Sequence, residues 1–136
     1  METASVRVSL VEDHPLLGGM LRDFVAGLPS VASCTIANSA EKALHDVADR
    51  LPDLMLIDLS LPGMDGIELI RELRSRYPDL RCAILSGHRS RIYAHRALAA
   101  GACGYVLKGD PTEIESALHA ILAGERYVSR DVQDGG

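Results

Sequence analysis

The chain has 136 residues, 47% hydrophobic and 24% charged, with a formal net charge of −5. That is one domain's length, enough for an apolar core without staples, and its acidic balance argues against non-specific nucleic-acid binding by this segment. No apolar run approaches the roughly 20 residues that span a bilayer, and Met1 to Ser5 has no basic stretch leading into an apolar one, so no signal peptide is read.

In chain order, Val6 to Val11 is rich in β-branched residues and reads as a first strand. It runs into Glu12-Asp13-His14-Pro15, and Pro15 suits the first turn of a helix. Leu16, Leu17, Met20, Leu21, Phe24, Val25 and Leu28 then recur at helical spacing, until Gly27 to Pro29 stop the pattern. Val31 to Ala37 reads as a second strand. Asn38-Ser39 offers an N-cap to a helix whose stripe is Ala43, Leu44, Val47, Ala48 and Leu51, ended by Pro52. Leu54 to Leu59 holds five apolar side chains and one carboxylate, Asp58, between Pro52-Asp53 and Pro62-Gly63. A short apolar run bounded in this way predicts a strand buried on both faces, as in a parallel sheet.

Ile67, Leu69, Ile70 and Leu73 line a third helix closed by Tyr77-Pro78-Asp79. Arg81 to Ser86 predicts a fourth strand, and Ile92 to Ala100 an alanine-rich helix with few large anchors. Tyr105 to Lys108 predicts a fifth strand, and Ile114, Leu118, Ile121 and Leu122 a fifth helix after Pro111. Glu125 to Gly136 lacks periodicity and reads as the start of a linker. Five strand–helix units imply a parallel sheet covered on both faces. Cys34, Cys82 and Cys103 are odd in number and widely spaced, fitting neither a disulfide framework nor a zinc pattern. Each lies in or beside an apolar run, which predicts reduced, buried thiols in a cytoplasmic protein.

The chemistry collects at strand ends. Glu12 and Asp13 follow the first strand, Asp58 ends the third, Ser86 the fourth and Lys108 the fifth. In an open α/β sheet, side chains at the carboxyl ends of the strands share one crevice. Three carboxylates without a His or Cys ligand set favour a hard cation, Mg²⁺ before Zn²⁺. A carboxylate there can act as a nucleophile and form an aspartyl phosphate, while a divalent cation and an ammonium neutralise the oxygens of the group in flight. Taken singly, each of these residues has a duller explanation, such as a helix cap, a loop hydroxyl or a surface lysine. It is their register that argues for a site.

The ordered set resembles the receiver domain of two-component response regulators over about Val6 to Ala123. The matching residues are Glu12-Asp13, Asp58 in Leu-Ile-Asp-Leu-Ser-Leu-Pro-Gly-Met-Asp-Gly, Ser86 after Ala83-Ile84-Leu85, and Lys108 in Ala-Gly-Ala-Cys-Gly-Tyr-Val-Leu-Lys. The resemblance implies a flavodoxin-like (βα)5 fold, a doubly wound parallel sheet of strand order 2-1-3-4-5. It implies that Asp58 accepts phosphoryl from a sensor histidine kinase, and that Glu12, Asp13, Asp58 and the backbone carbonyl of Ser60 hold Mg²⁺. Ser86 and Lys108 would read the phosphoryl group, with Tyr105 as the switch aromatic. Leu107 to Ile114 and Gly124 to Ser129 are similar to the NarL/FixJ (LuxR-type) subfamily. Residues 1–124 would then be the receiver and 125–136 the start of a linker to a helix-turn-helix DNA-binding domain outside this chain. Phosphorylation would drive homodimerisation and control transcription, with DNA reached only through that outside domain and no membrane involved. Gly109 stands where many receivers carry a proline after the lysine. A small Mg²⁺-dependent phosphatase with Asp58 as nucleophile is the alternative, but such an enzyme wants an acid two residues on, where this chain has Ser60. A stand-alone receiver or phosphorelay carrier, or a binding pocket never phosphorylated, are the remaining readings.

Overall fold

The computed structural model of the chain describes residues 5–135, with side chains through Val132. Six strands form one parallel sheet, interleaved with six helices. They run β1 (Val6–Val11), α1 (Pro15–Ala26), β2 (Val31–Ala37), α2 (Ala40–Asp49), β3 (Leu54–Asp58), α3 (Gly66–Arg76), β4 (Cys82–Ser86), α4 (Arg91–Ala99), β5 (Gly104–Leu107), α5 (Pro111–Leu122), β6 (Tyr127–Val128) and α6 (Arg130–Gly135). The order across the sheet is β2-β1-β3-β4-β5-β6. This is the doubly wound flavodoxin-like arrangement expected from the five strand–helix units, with one more strand beyond β5.

The sheet divides the core in two. Met55 and Ile57 of β3, Ile84 of β4 and Tyr105 of β5 pack with Val47 of α2, Ile67, Leu69, Ile70 and Leu73 of α3, and the alanines of α4. Leu54, Leu56, Leu85 and Val106 face the other way, onto Leu21 and Val25 of α1 and Ile114, Leu118 and Ile121 of α5. All five residues of β3 are buried, and so are all five of β4. This is why neither strand alternates with polar residues. The helix starts follow local chemistry: Ser39, Asp65, Ser90 and Asp110 each accept a backbone N–H of the first turn, and His14 does the same through its ring for Leu17. On α4 only Ala94 and Ala97 are buried, so this helix brings no large side chain fully into the core.

Two features depart from expectation. The stretch after Gly124, read as aperiodic, supplies β6, which pairs with β5 at Gly104↔Tyr127 and Tyr105↔Val128. It also supplies α6, whose Val132 is 1% exposed and sits in the core beside α4. A two-residue strand is too short to register as a period, and its partner lies more than twenty residues away in sequence.

Gly66 opens α3 directly under β3. A Cβ on it would lie 2.5 Å from the Asp58 carbonyl oxygen and 3.0 Å from Leu59 Cα, both backbone atoms that cannot swing aside. Gly19, inside α1, has nothing within 4 Å of the same construction. Gly66→Ala is therefore expected to lower unfolding free energy in urea by about 1–3 kcal/mol, whereas Gly19→Ala should raise it by about 0.5–1 kcal/mol. Two buried thiols, Cys34 on the edge strand β2 and Cys82 on the inner strand β4, give a second check. Burial, aided by the neighbouring Cys103, pushes Cys82 up to about 12, and burial pushes Cys34 up to about 11. The native protein at pH 8 should leave Cys82 unalkylated by iodoacetamide, while the urea-unfolded chain labels it rapidly.

Candidate functional site

Parallel β1, β3, β4 and β5 end together, and the residues that follow them meet at one rim. Asp58 is the last residue of β3 and is 3% exposed; Glu12 directly follows β1 and is 2% exposed. The ammonium of Lys108, which directly follows β5, lies between them, 3.0 Å from Asp58 Oδ1 and 3.1 Å from Glu12 Oε1. Residues 50 and 96 positions away in sequence are thus joined through one nitrogen. Each carboxylate has a second tether. Ser60 N–H donates to Asp58 Oδ1 at 3.3 Å, and His14 N–H donates to Glu12 Oε2 at 3.1 Å. Asp13 is exposed, at the mouth. Glu12, Asp13 and Asp58 each present one oxygen, all within 4.8 Å of one another.

The electrostatics follow from this crowding. Burial raises the Glu12 carboxyl pKa, and Asp58 adds to the rise; the hydrogen bonds from His14 N–H and Lys108 oppose it without cancelling it. Burial alone would lower the Lys108 pKa, but its hydrogen bonds to Asp58 and Glu12 outweigh the penalty and raise it. The ammonium is therefore retained at neutral pH. Three carboxyl groups gathered around one ammonium form a set of hard oxygen donors, and this donor set fits a small divalent cation such as Mg²⁺.

Beside this cluster stand the hydroxyls of Ser86 and Tyr105, 1% and 0% exposed. Ser86 Oγ accepts His88 N–H at 2.9 Å. The Tyr105 hydroxyl lies 2.9 Å from Ser86 Oγ and 2.7 Å from the His88 carbonyl oxygen, so its ring already occupies the pocket under α4. Burial raises the Tyr105 pKa, with the Ser86 hydrogen bond acting the other way. Lys108 N–H donates to the Ser86 carbonyl at 3.0 Å, which links the backbones of the hydroxyl and the lysine across β4 and β5.

All the residues singled out from the sequence thus lie on this rim or next to it. Ser60 takes part through its N–H. Sequence reasoning missed Ser129, a fully buried hydroxyl that accepts Leu107 N–H at 2.9 Å, one residue before the lysine. It also missed the close fit of Gly66 beneath Asp58. A Gly following Met-Asp was visible in sequence, but a lone serine after Tyr-Val carried no signal.

Residues 8–119 match the response regulator receiver domain, and the chain belongs to that family, in its NarL/LuxR-type branch. The transcriptional activator protein ExaE of Pseudomonas putida is 38% identical over 128 residues, covering 90% of this chain and 58% of that protein. The crystal structure of a LuxR-family two-component response regulator from Aurantimonas sp. SI85-9A1 superposes with a TM-score of 0.91 at 37% identity, covering 95% of this chain and 93% of that one. A LuxR-family DNA-binding response regulator from Silicibacter pomeroyi gives a TM-score of 0.80 at 27% identity, covering 93% and 98% of the two chains. The chain spans 58–63% of the length of the curated relatives it matches. Among the described residues no helix is long and apolar enough to cross a membrane.

The ion cluster makes a direct prediction. Lys108→Met leaves two nearly buried carboxylates facing each other, and without divalent cation it should lower unfolding free energy at pH 7 by about 2–3 kcal/mol. Because burial raises the Glu12 pKa above its ordinary 4.5, Glu12 takes up its proton before the pH has fallen to 4.5, and that loss should already be smaller there. Urea titrations at pH 7 and pH 4.5 measure both.

Proposed function

We propose that the chain is a phosphorylation-activated receiver of a two-component system, and that Asp58 accepts a phosphoryl group from the phosphohistidine of a sensor histidine kinase. The observation that carries this reading is the bridging of Asp58 and Glu12 by the Lys108 ammonium at a rim lined by a third carboxylate and two buried hydroxyls. Asp58 Oδ1 is engaged by Lys108 and by Ser60 N–H. Oδ2 is then the nucleophile. It attacks phosphorus, the new P–O bond forms as the P–N bond to the kinase imidazole breaks, and the imidazole leaves with its electron pair. Lys108 is charged and within reach of the oxygens that gain charge, which is where an ammonium lowers the barrier. Glu12, Asp13 and Asp58, with the Ser60 carbonyl, would hold Mg²⁺, which when bound supplies charge neutralisation for the phosphoryl oxygens.

Once formed, the aspartyl phosphate carries about −1.5 to −2 charge at neutral pH. Lys108 and the Ser86 hydroxyl turn toward it. Ser86 then leaves its place beside Tyr105, and α4, anchored by two alanines, is the cheapest element to follow. The receiver is taken as residues 1–124, with 125–136 first packing β6 and α6 against it and then beginning the connection to an output domain in a cytoplasmic transcription regulator. ExaE's name, as a transcriptional activator, supports that assignment; a homodimer formed on phosphorylation, with DNA contact through the outside domain, belongs to the same proposal. The phosphatase alternative is disfavoured by the residue two places after Asp58, Ser60, which cannot protonate a leaving group as an acid would.

Incubation with acetyl phosphate and Mg²⁺ should give a labile adduct of roughly 80 Da in intact-mass spectrometry, lost with EDTA and absent in Asp58→Asn. An Asp58→Asn protein that still gains the adduct overturns the assignment, and multiple turnovers of phosphate-ester hydrolysis would favour the phosphatase. Light scattering should show a monomer shifting toward dimer with beryllofluoride, and an unchanged mass would remove dimerisation from the account.

A further inference from the structure

The C-terminal strap is fastened to the strand that carries the site lysine, and one side chain makes the fastening. In the β5–β6 ladder Tyr127 N–H donates to the Cys103 carbonyl at 3.1 Å and Ser129 N–H to the Tyr105 carbonyl at 3.0 Å. Continued one step, a parallel ladder would give Leu107 N–H to the Ser129 carbonyl. That carbonyl is already taken by Val132 N–H at 3.0 Å, where the chain turns into α6. The Ser129 hydroxyl stands in for it and accepts Leu107 N–H at 2.9 Å, at a position 0% exposed. The next amide, that of Lys108, points the other way, to the Ser86 carbonyl at 3.0 Å. The end of β5 is therefore held from both sides immediately before Gly109 and Asp110, which are exposed. The strap in turn is pinned by Val132, 1% exposed in the core next to α4, and by the Arg89–Asp131 ion pair at 3.7 Å.

We propose that Ser129 is a positioning residue for phosphoryl transfer: its buried hydroxyl fixes the amide of Leu107 and so the backbone from which Lys108 reaches Asp58. This rests on the phosphoacceptor reading above. Lys108 spans from the end of β5 to carboxylates at the ends of β1 and β3, so a small shift at residue 107 becomes a larger one at the ammonium. A buried amide that loses its acceptor either moves to find water or stays unpaired, and either outcome disturbs the strand end. Ser129 touches no reacting atom, and its effect passes through the strand.

The test compares Ser129→Ala with Val132→Ala in the full chain. Val132→Ala loosens α6 but keeps the hydroxyl, so it is the control for a merely structural loss. With acetyl phosphate and Mg²⁺, Ser129→Ala should slow initial phosphoryl uptake at least about fivefold and speed exchange of the Leu107 amide. Val132→Ala should stay within about twofold of the parent rate despite a lower Tm, and Ser129→Thr, which keeps the oxygen, should recover most of the rate. Equal rates for Ser129→Ala and the parent, or equal losses for Ser129→Ala and Val132→Ala, overturn the proposal alone. A parent chain that takes up no phosphoryl removes the phosphoacceptor reading and this proposal with it. If Ser129→Ala does not fold, the parent decides: protection of the Leu107 amide should change at least about threefold on adding beryllofluoride, and identical exchange overturns the role.

Discussion

One ammonium between two nearly buried carboxylates sets the terms for the rest of this structure. Glu12 and Asp58 stand at the ends of adjacent strands, where burial and the nearby Asp58 both oppose ionisation of Glu12. Lys108 relieves both, and only from the end of β5, two strands over from Asp58, with its amide fixed on Ser86. The strand order that places β1, β3, β4 and β5 side by side is thus also the order that makes the charge cluster tolerable. A buried charge group of this kind adds little net stability. Its presence in a sheet whose buried positions are otherwise mostly apolar argues that it is kept for chemistry.

Around that cluster the structure separates rigid from movable parts. β3 and β4 are buried along their whole length and hold Asp58 and Ser86 in fixed register. α4 lies over Tyr105 with only Ala94 and Ala97 as anchors, and presents Ile92 and Tyr93 outward. A site of this build can change charge without moving its floor, and can pass the change to a helix that costs little to shift. Tyr105 already fills the space beneath α4, hydrogen-bonded to Ser86 and His88. The movement to follow is therefore the loss of that Ser86 contact, since the ring has no further to travel inward.

Much of this was legible in the residues. The uninterrupted apolar character of Leu54 to Ile57 forced a central parallel strand, and the polar residues had to collect where such strands end. The proline and glycine punctuation set the helix limits to within a residue or two, as at Pro15 and Tyr77. The sequence-level boundaries of β4 and β5 slipped by one residue, because strand ends are decided by the neighbour's hydrogen bonds and not by local pattern. β6 and Ser129 were illegible for the same reason. Their hydrogen bonds run to β5 and, from Tyr127, to Glu113 of α5, and two residues cannot display a period. The fit of Gly66 beneath the Asp58 carbonyl was likewise a matter of three dimensions.

The most direct measurement is chemical mapping of the modified residue. The phosphorylated chain is reduced with borohydride, which converts an acyl phosphate to the corresponding alcohol, then digested and sequenced by tandem mass spectrometry. Reduction confined to position 58, and lost when Lys108 is replaced by Met, is the result the account predicts. Reduction at Glu12, Asp13 or any other carboxylate with residue 58 untouched would contradict it.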